Sequence, residues 1–471
     1  MVKEKDRQVA IEIQRRAELS SEQAIIASFS SNQAGNAQAA KYVFNGNVLH
    51  NTSLGWLVWN GQMWERSRER VKLLVVGVLE ARYDVALQAR DKELQYTSRA
   101  DNANVNGTMD LLAAYVDIPL EFFDSNNDIL PAPNGLIDLA TGRLLPHDST
   151  QGFTFNTTVE YDEQASYERW VEFLHTSVGG GDEAIEALQM YAGYMLTGRT
   201  DDEKMLYLYG ETRAGKGTFT ETLASLVPSP ISQARSFATF TANRDSDTNN
   251  FDMASLRTAR MLFASESERR HSLNAPFVKS MTGGDLLYAA FKGKDGFNFR
   301  PRFKTVLSSN YEVNADAYDS AVWGRLVVVN FPHSFLDRED NLKAVFRQPE
   351  MLQGVLKWAV EGAMKWYKAG RLLVPQSVKD NAIAARARLD RVSDWLLEEA
   401  IMDDSSFVSF SDLVRSYEAW CRNNAVEPKK SNALADALKV KGLKDTKKYI
   451  TDDSGTRKQV RGYIGLELIE E

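Results

Sequence analysis

Met205-Leu-Tyr-Leu-Tyr-Gly210-Glu-Thr-Arg-Ala-Gly215-Lys-Gly-Thr-Phe219 is the stretch on which the fold of this chain turns. Met205 to Tyr209 is a short apolar run of the kind that forms a strand buried in a parallel sheet. Gly210 to Lys216 is a loop bounded by glycines, and Thr218 to Leu226 has the residues to start a helix. That order describes a phosphate-binding loop. Glycines allow a backbone whose N–H groups turn inward, and a helix N-terminus adds favourable potential for an anion. Lys216 then reaches the outer phosphates, cradled by Gly210, Ala214, Gly215, Gly217, Thr218 and Phe219. The motif wants Ser or Thr directly after the lysine to hold magnesium, but here that place is Gly217, with Thr218 one further on. The bland alternative is a glycine-rich turn between a strand and a helix, and residues downstream decide between the two.

The chain has 471 residues, 43% of them apolar, enough for about two to four packed domains. Its single cysteine, Cys421, excludes a disulfide framework and a cysteine-based zinc site, which points to a reducing compartment. The five histidines are scattered without metal-ligand spacing. The start, MVKEKDRQ, has no apolar stretch behind it to make a secretory signal. The longest apolar runs, such as Leu73–Leu79, fall far short of the roughly 20 residues that a membrane span needs. A soluble, intracellular protein with no membrane partner is the expectation. A net charge of −8 argues against coating nucleic acid over the whole surface, and leaves room for one local basic face.

Along the chain, residues 1–35 read as a polar segment, a helix followed by looser chain. Residues 36–165 read as an α+β domain. In it, Gly55–Trp64 alternates large apolar residues around an Asn60-Gly61 turn, a hairpin signal. Helical patterns then run to Tyr115 with a break at Asn102–Asn106, and Ile129–Asp162 reads as a small β unit with Thr/Phe/Val-rich strands. Residues 166–204 read as a helical collar. Residues 205–335 carry the motor, residues 336–402 a helical region, and residues 403–471 a basic module of two helices and a hairpin. Lys429–Arg461 holds ten Lys and Arg against four Asp, which suits a DNA-binding winged helix and marks Lys429, Lys430, Lys447 and Lys448 as candidate contacts.

Within the motor, Arg260–Ser265 reads as a buried strand ending in Glu266 and Glu268, about fifty residues past Lys216. One carboxylate can hold magnesium and the other can polarise the attacking water. Phe291-Lys-Gly-Lys-Asp-Gly-Phe297 puts Lys292 and Lys294 at a glycine-rich hairpin tip, suited to a phosphate backbone or simply to solvent. Phe303–Leu307 is a further strand ending near Asn310, an amide placed to sense a terminal phosphate. Arg325 precedes the strand Val327–Phe331 and is either a surface charge or a residue offered to a neighbouring subunit's nucleotide.

With these pieces assembled, the chain resembles the helicase part of the phage and plasmid primase–helicase family in helicase superfamily 3. The resemblance runs from Gly35 to the C-terminus. It rests on GNA (Gly35–Ala37), GWLVWNGQMW (Gly55–Trp64), NGLIDL (Asn134–Leu139) and AGYMLTG (Ala192–Gly198). In the motor it rests on GETRAGKGTF, ASESE, VKSMTGGD, FKTVLSSN and Trp323–Arg325. It implies a multidomain α/β chain with an AAA+-like P-loop ATPase core, assembled as a hexameric homo-oligomer around single-stranded or forked DNA in a bacterial host cytoplasm. ATP and Mg²⁺ are the implied cofactors, with Thr218 and Glu266 holding the metal. Carried over by position, Lys216 binds phosphate, Glu266 and Glu268 are the acidic pair, Asn310 is the sensor and Arg325 the arginine finger. Lys292 and Lys294 match the DNA-tracking hairpin, and 3′-to-5′ movement is implied.

Three departures stand out. Gly217 replaces the magnesium-binding Ser of many relatives. Leu286–Ala290 lacks the arginine often found there. About 35 residues precede the resemblance, too few for the primase domain many relatives carry, so no primer synthesis is expected and a separate primase becomes a candidate partner. The main competitor is a replication initiator ATPase that melts an origin. A small-molecule kinase does not account for the paired acids, the late asparagine and the basic tail. A non-catalytic DNA-binding scaffold does not account for the retention of Lys216, Glu266, Glu268 and Asn310 together.

Overall fold

A computed structural model describes residues 20–179, 181–241, 253–265, 272–290, 296–334, 341–451 and 457–469. The N-terminal elements are α1 (Ser20–Ser28), α2 (Gln33–Phe44), β1 (Val48–Asn51), β2 (Gly55–Trp59), β3 (Trp64–Arg66), α3 (Arg68–Ala89), α4 (Lys92–Thr97) and α5 (Asn102–Tyr115). The expected hairpin forms: β1, β2 and β3 make an antiparallel sheet in which Trp59 faces Trp64. Asn60 turns the chain by accepting from the N–H groups of Gln62 and Met63, at 2.9 Å each. Two expectations shift. Gly35 lies inside α2, whose cap is Asn32, and the buried Arg82 of α3 donates to Phe29 O (3.0 Å) and Ser30 O (2.9 Å), which ties down chain expected to be loose. The helix break falls before Asn102, because Asp101 caps α5 through the Asn104 N–H.

Next come β4 (Ile129–Ala132), β5 (Gly135–Asp138) and β6 (Leu144–Leu145), a small antiparallel sheet, followed by α6 (Glu168–Ser177) and α7 (Gly181–Leu196). The Thr/Phe/Val-rich strands expected after residue 150 do not form. Residues 153–161 have no ladder, and instead sink Phe153, Phe155, Val159 and Tyr161 into the core. That core is shared with the strands that follow Met205, so β4–β6 pack with the sheet of residues 205–331 rather than with α1–α5.

The central elements are β7 (Met205–Gly210), α8 (Lys216–Ala224), β8 (Ser232–Ser236), β9 (Met261–Ser265), α9 (Ala275–Thr282), β10 (Leu287–Ala290), β11 (Gly296–Phe299), β12 (Lys304–Ser309), α10 (Ser320–Trp323) and β13 (Leu326–Phe331). Five strands form one parallel sheet in the order β13-β7-β12-β9-β8. The apolar runs are buried on both faces, as parallel strands require. Tyr209 pairs with Ser309 and Ser308 with Ser265, so three strands end level with one another. Tyr191 of α7 sits at the opposite end, donating to Thr305 O (2.8 Å) and accepting from the Leu206 N–H (3.1 Å).

Beyond the sheet follow α11 (Leu342–Phe346), α12 (Pro349–Ala369), α13 (Gln376–Arg388), α14 (Arg391–Glu399) and β14 (Ala400–Ile401). The last elements are β15 (Phe407–Ser409), α15 (Phe410–Asn423), α16 (Ser431–Val440), β16 (Lys444–Thr451), β17 (Arg457–Ile464) and β18 (Glu467–Leu468). The helical stretch read over 378–401 is two helices, separated where Asp390 caps α14. Val392, Trp395 and Leu396 of α14 share the C-terminal core with α15 and α16. No described helix is long and apolar enough to cross a membrane.

Candidate functional site

The loop between β7 and α8 is built from backbone conformations that side chains resist. Gly210, Arg213 and Gly215 have φ of 137°, 62° and 95°. A Cβ on Gly210 would lie 2.1 Å from Phe331 O, and one on Gly215 would lie 2.8 Å from Ser177 Oγ and 2.9 Å from the Phe173 ring. Glycine is required at both places by strain and by space. The loop passes directly into α8, whose cap is Gly215 and has no side-chain acceptor, so the first N–H groups of the helix face the loop mouth. Phe219 anchors that helix: its ring is fully buried and stacks 5.8 Å from Trp170.

A cavity of about 710 Å³ opens over the loop at the carboxyl ends of the strands. It is lined by Lys216, Gly217 and Thr218 from α8, Ser265 at the end of β9, Ser308 of β12 and Asn310 just after that strand. In an open parallel sheet this is where ligands bind. Of the expected loop residues, Ala214 and Gly215 line it as well, whereas Gly210 and Phe219 do not. The Phe219 N–H is taken by Gly215 O (2.9 Å), and Gly210 contributes its carbonyl to Lys216 instead. Lys216 Nζ donates to Gly210 O and Glu211 O at 2.7 Å each, and burial holds its ammonium below the usual lysine value.

Glu266 and Glu268 lie outside the described residues. Arg235 of β8, Phe173 of α6 and Lys343 of α11 also line the cavity and were not foreseen. Each arrives from an element distant in sequence, so no spacing signal marks it. Lys343 pairs with Glu221 of α8, and Arg347 Nη2 reaches the same carboxylate at 3.1 Å.

The loop suits a phosphate chain. It suits a magnesium ion less well: position 217 offers no side-chain hydroxyl, and Lys343 Nζ lies 3.3 Å from where a Cβ there would stand. Thr218 supplies a hydroxyl, but among the described residues no group of three His, Cys, Asp or Glu could hold a metal.

Arg325 stands at the other end of the sheet, just before β13. Its Nε donates to Thr282 Oγ1 (3.0 Å), its Nη1 to Ala321 O (3.0 Å), and its Nη2 pairs with Glu203. Six residues of strand, about 20 Å at the usual rise, separate it from its own loop. β10 and β11 form an antiparallel hairpin whose connection, with Lys292 and Lys294, lies outside the described residues. In the tail, Lys447 and Lys448 are exposed on β16, and Lys448 Nζ lies 5.2 Å over the Phe407 ring. Lys430 is exposed as the residue before α16. Lys429 is engaged elsewhere: its Nζ is 3.2 Å from Asp316 and 5.2 Å over the Tyr318 ring, which ties the C-terminal module to the loop between β12 and α10.

The model of the family described as D5 N terminal like matches residues 37–179, and that of a family of unknown function, DUF5906, matches residues 208–325. The "Putative helicase L207/L206" of Acanthamoeba polyphaga mimivirus is 22% identical over 328 residues, covering 65% of this chain and 34% of the relative. The "Putative helicase 022R" of Frog virus 3 (isolate Goorha) is 25% identical over 252 residues, 50% of this chain and 26% of the relative. The chain thus spans about a third or less of these relatives' own length. Among solved structures, the NrS-1 C-terminal region aligns at 12% identity with a TM-score of 0.42, covering 65% of this chain and 78% of that one. By these matches the chain is similar to the D5 N terminal like family in its first part and to viral proteins named as putative helicases over half or more of its length.

Proposed function

We propose that the chain is the ATP-driven motor of a replicative DNA helicase of the superfamily 3 kind. One observation carries this reading: Lys216, Thr218, Ser308 and Asn310 meet at one cavity over the level ends of adjacent parallel strands. Phosphate held by the loop amides and Lys216 has the Asn310 amide on the far wall to orient a water. Glu266 and Glu268, which follow the cavity-lining Ser265, are the proposed acidic pair.

Arg325 is too far from its own loop to meet the same nucleotide. If it stabilises phosphoryl transfer, it does so in a neighbouring subunit, which favours a ring with sites at its interfaces, and we take a hexamer as that ring. ATP hydrolysis there would move the hairpins bearing Lys292 and Lys294 along one DNA strand, with 3′-to-5′ polarity. The terminal order of α14, β15, α15, α16 and the β16–β17 hairpin supports a winged-helix module with a basic wing. That module also favours a second reading, an initiator that binds and melts an origin. Unwinding of a forked duplex tests the proposal: wild type displaces the strand with ATP, Lys216→Ala does not, and a blunt origin duplex melts no faster than random sequence. Opening confined to one sequence would favour the initiator.

A further inference from the structure

Gly217 and Lys343 form one arrangement. Position 217 is where a phosphate loop ordinarily presents a hydroxyl to the metal. Here it has no side chain, and the freed space is flanked by the Lys343–Glu221 pair, with Lys343 Nζ 3.3 Å and Glu221 Oε1 3.7 Å from the Cβ that another residue would carry. A cation and a magnesium ion at that spot would repel each other, and an ammonium can do part of the metal's work by neutralising phosphate oxygens.

The anchoring of Lys343 fits this role. Its partner Glu221 lies four residues after Gly217, on the same side of α8. Glu221 also holds Arg347 at 3.1 Å. If Lys343 turns to a phosphate, Glu221 keeps a cationic partner, so the move leaves no carboxylate unpaired. The Lys343 side chain is 44% exposed, which leaves it free to swing. Lys343 belongs to α11, whose Phe346 is buried against Trp170 and Phe173 beside the loop.

We propose that Lys343 binds the outer phosphates of the nucleotide in the place left by Gly217, making nucleotide binding weakly dependent on magnesium. The proposal rests on the nucleotide reading of the Lys216 loop. The test is calorimetric titration of the full chain with a non-hydrolysable ATP analogue, in magnesium and in EDTA, for wild type, Lys216→Ala, Lys343→Gln, Gly217→Ser and the Gly217→Ser/Lys343→Gln pair. Loss of a charged hydrogen bond corresponds to about a tenfold loss of affinity.

Wild type is expected to bind in EDTA within about tenfold of its affinity in magnesium, while Lys343→Gln loses about tenfold more in EDTA than in magnesium. The double variant is expected to regain affinity only in magnesium. If Lys343→Gln matches wild type in both buffers while Lys216→Ala abolishes binding, the Lys343 role is wrong and the nucleotide site stands. If wild type binds in neither buffer, or Lys216→Ala binds as well as wild type, the nucleotide reading falls and the Lys343 role with it.

Discussion

Lys216 rests on two carbonyls of its own loop, and burial works against its charge; a polyphosphate that replaces those carbonyls restores a full anionic partner. Lys216→Ala is therefore expected to lower nucleotide affinity at least tenfold and to abolish turnover, measured by titration and by phosphate release. Gly215 carries the loop at φ 95° against Ser177 and Phe173. Gly215→Ala should destabilise the chain by about 1–3 kcal/mol in urea unfolding and weaken nucleotide binding as well. Lys216, Thr218 and Asn310, which line the cavity, were legible in the sequence because the loop and the end of a later apolar strand, β12, mark them by order. Lys343, Arg235 and Phe173 were not, because each reaches the cavity through packing of a distant element. Phe219 is buried and does not line the cavity; in a motif, a residue that fixes the helix looks the same as one that meets the ligand.

Among elements, α7 and α12 cross closely enough that glycine is needed at the contact. A Cβ on Gly193 would lie 1.9 Å from Ala363 N, and one on Gly362 would lie 2.0 Å from Gln189 O. Gly193→Val is expected to cost about 3 kcal/mol, seen as a lower urea midpoint with an unchanged slope. The chain just before β4 is held differently: Asp128 accepts from Arg199 Nε (2.7 Å) and Nη2 (2.9 Å) and from the Tyr367 hydroxyl of α12 (2.6 Å). The Arg199 hydrogen bonds hold its carboxyl below the usual aspartate value despite partial burial. The folded value lies below the unfolded one, so this contribution is present above the unfolded pKa of about 4 and is lost as pH falls through the folded value. Asp128→Asn should lower the melting temperature at pH 7, and the gap from wild type should close below about pH 4. The sequence misled at Phe153–Tyr161, where β-prone side chains are buried without any ladder. Such propensity measures fit to a buried surface, not strand pairing.

At the scale of the molecule, the parallel sheet lies in the chain between an N-terminal unit and a C-terminal module that are fastened to it by different means. β4–β6 share its core. The C-terminal module is held through Tyr318, which packs against its core, and by polar clasps, with Tyr318 and Lys441 meeting at Asp390 and Lys429 reaching Asp316. Lys429→Ala is accordingly expected to loosen the module, read as faster amide exchange in α16, with less effect on DNA affinity than Lys447→Ala/Lys448→Ala. The order of the motor motifs made the parallel sheet legible, whereas module boundaries depend on which core a residue joins, which no local pattern records. Arg325 makes a prediction of its own. Mixing Arg325→Ala with Lys216→Ala should restore part of the turnover that neither variant shows alone, because a mixed ring has interfaces carrying an intact lysine and an intact arginine; action within one subunit would give no rescue. The central claim, a DNA-coupled phosphate-loop motor, is tested most directly by ATP hydrolysis with and without single-stranded DNA, for wild type and Lys216→Ala. The account predicts that DNA raises wild-type turnover several-fold and that the variant stays at background in both conditions. Wild-type turnover indifferent to DNA, or turnover that survives in Lys216→Ala, would contradict it.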